Sequence, residues 1–133
     1  MTRKELSQLY YLKREIAFDK ERLAELEAKA TSTSAGFSMS PRSQKISDKT
    51  SLAVEIACQR DIIKNKLERA VIEYERLAAY IDTIDDSLTR QIFTLRFVCG
   101  YSWSKVARKL GGSNTADSVR KICSRFMEKE DAD

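Results

Sequence analysis

Two long stretches of this chain place apolar residues alternately three and four positions apart, and so thin a stripe leaves few ways to fold. Between residues 3 and 30, Leu9, Ile16, Leu23 and Ala30 recur every seven residues. Leu12 and Leu26 fill alternate positions between them, and Asp19 interrupts the third. A helix with this pattern is too narrowly apolar to be buried on all sides and needs another helix along its seam. At 1.5 Å per residue it is roughly 40 Å long. A second seam runs through Ala53, Ile56, Ile63, Leu67, Ala70, Tyr74, Leu77, Ile81 and Ile84, predicting a helix that starts near Ser47–Thr50 and ends near Ile84. Arg60 is its polar intruder, with the stem along the seam and the head in water.

Between the seams the composition changes. Nine of the twenty residues 31–50 are Ser or Thr, and the segment holds the only proline, so it reads as a flexible loop with Phe37 and Met39 available to dock on a neighbouring surface. An antiparallel hairpin of the two helices is the simplest pairing. A linker of this length also spans a parallel arrangement, so the direction stays open. Two thin stripes with few aromatics do not make a large core alone, which predicts self-association through residues 3–84.

The chain carries 24 Lys and Arg against 20 Asp and Glu, but the excess is concentrated. Residues 87–127 hold eight basic residues and one acid, Asp117, whereas 51–86 hold five and eight. Histidine is absent, which removes the commonest general base and metal ligand near neutral pH. There is no Gly-rich phosphate loop among the four glycines. The three cysteines, Cys58, Cys99 and Cys123, have no metal or disulfide spacing and read as small buried apolar residues. The expectation is a binding module without catalytic residues, metal or cofactor. A charged start and no apolar run near the ~20 residues of a membrane span predict a cytoplasmic protein.

The basic block divides into three short helices. Residues 88–98 form the first, ending at Gly100. Ser102 caps the second, whose apolar face is Trp103, Val106, Ala107 and Leu110, and Gly111–Gly112 stops it. Thr115, or alternatively Asn114, caps the third, with Val119, Ile122, Cys123 and Phe126 on its apolar face. Two short helices with matching apolar faces and a Gly-containing turn describe a helix-turn-helix. The candidate DNA-binding residues on the recognition helix are Asn114, Thr115, Asp117, Ser118, Arg120, Lys121, Ser124 and Arg125. Ser102, Lys105, Arg108 and Lys109 lie where the first helix of such a motif crosses the DNA backbone. Trp103 belongs to the core stripe, Tyr10, Tyr11, Tyr74 and Tyr80 read as packing residues, and Asp85–Asp86 reads as a helix-start signal.

The run Leu88, Arg90, Leu95, Arg96, Phe97, Gly100, Ser102, Trp103, Val106, Ala107, Leu110 and Gly111 resembles the helix-turn-helix of region 4 in sigma-70-type factors. Residues 115–122 line up with the recognition helix of that region. The whole layout resembles small phage-encoded late-transcription regulators of the ArpU/RinA kind, in which a helical segment and a Ser/Thr-rich loop precede a sigma-like domain. Over residues 1–84 the likeness is one of layout only. The resemblance implies that Thr115 caps and touches phosphate, that Ala116, Asp117, Arg120 and Lys121 face a promoter element, and that host RNA polymerase is a partner in a bacterial cytoplasm. Ala116 is shorter than the family's usual residue there, and the turn 111–114 is longer.

The expectation is an all-α protein: helix one of a hairpin at 1–30, a loop at 31–50, helix two at 51–86, a sigma-like domain at 87–128 and an acidic tail at 129–133. Its expected function is sequence-specific binding of double-stranded DNA to regulate phage or prophage genes. The alternatives are a small terminase-like packaging subunit and a protein-only adaptor for a polymerase surface.

Overall fold

The computed structural model describes residues 1–35 and 42–132, and every element among them is helical. In order these are α1 (Arg3–Leu6), α2 (Gln8–Ala35), α3 (Arg42–Asp82), α4 (Ser87–Phe93) continued by a π-helical turn (Thr94–Val98), α5 (Trp103–Leu110) and α6 (Ala116–Ala132). The two long helices therefore take in residues 31–35 and 42–50, where the composition predicts loop. Phe37 and Met39 lie outside the described residues. Among the described residues no helix is long and apolar enough to cross a membrane.

The chain divides into two compact units, Lys13–Arg69 and Met1–Leu12 with Ala70–Asp133. In the first, α2 and α3 run antiparallel: Glu27 meets Arg60 at 3.0 Å, while Asp19 meets Lys66 at 2.5 Å and Glu15 lies 3.7 Å from Lys66. Rising numbers on one helix thus face falling numbers on the other. Along α2 the inward side is the one the heptad predicts, with Ile16 and Leu26 buried and Asp19, Leu23 and Ala30 half-buried.

Along α3 the expected seam needs correcting. The inward residues are Leu52, Ile56, Gln59, Ile63 and Lys66, while Ala53, Arg60 and Leu67 are exposed. The polar residue in the seam is Gln59, not Arg60, and its side-chain N–H donates to the Asp19 main-chain carbonyl at 3.1 Å. Lys66 donates to the Asp19 carboxylate. The polar interruption in α2 is therefore answered by two polar residues in α3. Such a layer fixes which turn of one helix meets which turn of the other. The Asp19 hydrogen bond is the main reason the Lys66 ammonium holds its proton above the usual range. The charges of Asp19 and Glu15 add to it, against the opposing effect of burial.

The second unit has a multi-layered core. Leu6 and Leu9 from the chain start join Leu77, Ile81 and Ile84 of the long helix and its end. Around them pack Ile92, Phe93, Phe97, Val106, Ala107, Val119, Cys123 and Met127. Phe93 is fully buried, with the rings of Phe97 and Phe126 each 5.3 Å from its own. This core crosses the domain boundary expected at residue 87. Tyr74 and Tyr11 are exposed rather than packed, and Cys58 and Cys99 are exposed, leaving Cys123 as the buried thiol. Cys58 misses the seam by one residue, and Cys99 sits at the end of the π turn.

Polar caps punctuate the unit. Thr2 and Glu5 form a reciprocal cap on α1. Asp86 starts α4, accepting from the Thr89 main-chain N–H at 3.0 Å and from its hydroxyl at 2.6 Å. The Asp86 carboxyl is thereby held below its ordinary range, as Glu5 is by its bonds to Thr2. The helix predicted over 88–98 widens midway, where the Cys99 N–H reaches back to the Thr94 carbonyl at 3.0 Å. The Thr94 hydroxyl donates to the Arg90 carbonyl at 2.9 Å, competing with the regular ladder at that point. Gly100 then turns the chain with φ 73°, where an added Cβ would stand 3.0 Å from the Tyr10 ring.

Candidate nucleic-acid interface

The interface is assembled on α5, the turn after it and α6. Ser102 caps α5, its hydroxyl accepting from the Lys105 N–H at 3.3 Å. Gly111 ends the helix at φ 72°, a conformation that a side chain would strain. Asn114 is committed to the turn, its amide donating to the Gly111 carbonyl at 2.9 Å. Thr115 caps α6: its hydroxyl accepts from the Ser118 N–H at 3.1 Å, and Ser118 Oγ accepts from the Thr115 N–H at 2.9 Å. Of the two cap candidates it is thus Thr115 that starts α6, and the Thr115 and Ser118 hydroxyls serve the helix start.

The two apolar faces pack inward as their spacing predicts. Val106, Ala107, Val119 and Cys123 are buried, and Trp103, Leu110, Ile122 and Phe126 are half-buried against the same core. Met127 joins them, one residue beyond the predicted stripe. Burial is the chief reason the Cys123 thiol is pushed up to about 11. Opposite these faces, Lys105, Arg108 and Lys109 on α5 and Asp117, Arg120, Lys121 and Arg125 on α6 are exposed.

Local partners divide these residues further. Lys105 lies over the Tyr101 ring at 4.0 Å, and Arg120 pairs with Asp117 at 3.3 Å. Ser124 faces the chain start, its hydroxyl accepting from the Arg3 guanidinium at 2.8 Å. Arg90 is structural, donating to the Ile84 carbonyl at 2.7 Å. Arg96 donates to the Tyr101 carbonyl at 2.9 Å and lies 4.5 Å from the centre of the Trp103 ring.

Sequence reasoning missed Arg3 and Arg96 as members of this surface. Together with Ser7, Phe97, Trp103, Arg120, Cys123, Ser124 and Met127 they line a cleft of about 150 Å³. Arg96 was visible within the basic block, whereas nothing in the linear pattern ties Arg3 to a residue 121 positions away. At the other end of α6, the Tyr80 hydroxyl donates to the Glu130 carboxylate, and burial followed by this bond raises the phenol's pKa.

Among the described residues no three His, Cys, Asp or Glu side chains cluster so as to hold a metal ion. In comparisons with known proteins, no family model, no curated protein and no solved structure matches this chain.

Proposed function

We propose that this chain is a sequence-specific double-stranded DNA-binding protein, a helix-turn-helix regulator of phage or prophage transcription that works with host RNA polymerase. The observation that carries the DNA reading is the exposed cationic set between Ser102 and Met127, six side chains on α5 and the first turns of α6 accompanied by one acid, Asp117, itself paired with Arg120, while Glu128, Glu130 and Asp131 stand at the far end of α6. Phosphate contacts supply most of the affinity in such complexes, and base-edge contacts supply the choice of sequence. Lys105, Arg108 and Lys109 suit the first task. On α6, Arg120, Lys121 and Arg125 carry the long side chains that base edges and phosphates require. Asn114, Thr115, Ser118 and Ser124 hold the reading helix in place rather than read bases. The phage and polymerase parts of the proposal rest on the sigma-like residue pattern.

Self-association belongs to the same reading. In the hairpin unit Phe18, Val54, Ile62 and Leu67 remain exposed, which favours a second copy against these helices.

Titration against duplex DNA tests the proposal. With about five to seven phosphates neutralised, log K falls with log salt at a slope of roughly −4.5 to −6. Selection from a random pool recovers a common sequence, and the mass of the complex counts the copies. No binding at low salt overturns the DNA reading. Equal affinity for every sequence overturns its specificity.

A further inference from the structure

Beside the polar face of α6, three guanidinium groups share one cleft: Arg3 from α1, Arg96 from the π turn and Arg120 from α6. We propose that this cleft is a phosphate-binding site and that its occupant is a backbone phosphate of the bound DNA. The inference rests on the DNA-binding reading above, but its chemistry is separately measurable.

Three features support it. First, the residues lining the cleft include three arginines and no carboxylate, so like charges stand together along it. Their mutual repulsion is relieved by an anion, and more strongly where half-buried walls lower the local dielectric. Second, each guanidinium has donors to spare. Arg96 donates to the Tyr101 carbonyl and lies over the Trp103 ring, and Arg3 is aimed by its bond to Ser124. One or two of the five N–H groups on a guanidinium satisfy such a contact, and the remaining fork matches a phosphate. Among the described residues Arg120 is tied only to Asp117, an exposed pair of the kind that gives up its partner at little cost. Third, Arg120 belongs both to the polar face of α6 and to the cleft wall, so DNA seated on that face presents its backbone at the cleft mouth.

Trp103 is the only tryptophan in the chain and lines the cleft beneath Arg96, so its fluorescence reports occupancy directly. The experiment titrates the full-length protein with labelled duplex and, separately, with inorganic phosphate. DNA anisotropy and Trp103 emission are read together, for wild type, Arg3→Gln and Ser124→Ala. Both ligands are expected to move Trp103 emission in the same direction, the duplex at far lower concentration. Arg3→Gln should weaken duplex binding roughly tenfold, the loss of one charged hydrogen bond. The loss should be equal on selected and random sequence, with a salt slope shallower by about 0.9. Ser124→Ala releases the guanidinium but keeps its charge, so it should lose less than Arg3→Gln at an unchanged melting temperature.

Duplex binding with wild-type affinity in Arg3→Gln and no response from Trp103 overturns the cleft and leaves the DNA reading standing. An Arg3-dependent response to inorganic phosphate without any duplex binding supports the phosphate site and overturns the DNA reading. Silence from Trp103 with both ligands overturns the cleft outright.

Discussion

The helices α2 and α3 serve in both compact units, and the two units use them differently. Among the described residues of Lys13–Arg69 they have only each other. Their shared seam is one residue deep, is crossed by the Asp19, Gln59 and Lys66 layer, and leaves Val54, Ile62 and Leu67 exposed. In the other unit the start of α2 and the end of α3 are covered by α4, α5 and α6, and thirteen buried apolar side chains form one cluster. The contrast shows what a third layer does for a pair of helices. With it, apolar contact sets the packing. Without it, pairing depends on polar residues for register, while exposed apolar side chains occur in both units, with Tyr11, Val71, Ile72 and Tyr74 in the layered one.

The largest test of this contrast is Phe93→Ala. Phe93 is fully buried, and its removal from a packed core costs about 3–5 kcal/mol. Trp103 fluorescence follows this unit, whereas far-ultraviolet circular dichroism follows the helices of both. The expected outcome is a fluorescence transition at lower temperature than the loss of helicity. Transitions that move together would mean that the units unfold as one block, and the contrast would be lost.

Next in size is Asp19→Ala, which acts on the hairpin. The Asp19 and Lys66 side chains are only 20% and 24% exposed, so this is not an ordinary surface pair. Removing the carboxylate strands the ammonium with Glu15 at 3.7 Å, at a cost of roughly 1–3 kcal/mol. Replacing both Asp19 and Lys66 with leucine should recover that loss, because a packed apolar pair matches a desolvated ionic one. The melting temperatures of the two variants check both statements. A double variant as unstable as Asp19→Ala would show that the pair contributes more than its desolvation costs.

The same residues mark what the linear pattern reveals. A seven-residue period identifies the inward side of α2, Asp19 included, because its apolar residues outnumber its polar ones there. On α3 the inward heptad positions include Gln59, Lys66 and Glu73, of which Gln59 is buried and the other two half-buried. Following apolar residues alone shifts the seam by one position, onto Arg60, Leu67 and Tyr74. The strict spacing of Ile56, Ile63, Ala70, Leu77 and Ile84 carries the correct register, and Asp19 on the partner predicts polar company. The caps at Asp86 and Ser102 were legible because a cap is a local hydrogen bond. The burial of Leu6 and Leu9 against α4–α6, and the place of Arg3 beside Ser124, depend on contacts across the whole chain and leave no local trace. The π turn at Thr94–Val98 was likewise hidden, since its residues continue a helical pattern.

A smaller effect separates the units by pH. Glu5 and Asp86, both caps in the multi-layered unit, have lowered folded pKa values. Their stabilisation is complete above the ordinary carboxylate range and is lost as pH falls through the depressed values. Lys66 in the hairpin has a raised pKa, so its stabilisation is complete below the ordinary ammonium value and is lost as pH rises through the folded one. Asp86→Asn caps without titrating, so it should flatten the acid limb of the melting-temperature profile. Lys66→Met should flatten the alkaline limb. An acid limb unchanged in Asp86→Asn would remove this carboxylate from the account.

The gentlest probe leaves the native protein folded and asks each unit how often it opens. Cys58 is exposed on α3, and Cys123 is buried on the inward face of α6 with its thiol pushed up to about 11. Alkylation requires the thiolate, and at pH 8 a thiol pushed up to about 11 is ionised only to roughly one part in a thousand, so Cys123 should react slowly. Burial adds a further delay set by the opening equilibrium of its core. Mass spectrometry of cleaved fragments assigns each label to its residue. In Phe93→Ala the Cys123 rate should rise steeply while the Cys58 rate stays constant, because only the unit that has lost its central ring opens more often. A Cys123 rate insensitive to Phe93→Ala would mean that local fraying of α6, rather than opening of the shared core, exposes that thiol. Helix α6 would then be the least anchored part of the layered unit instead of being held by its core.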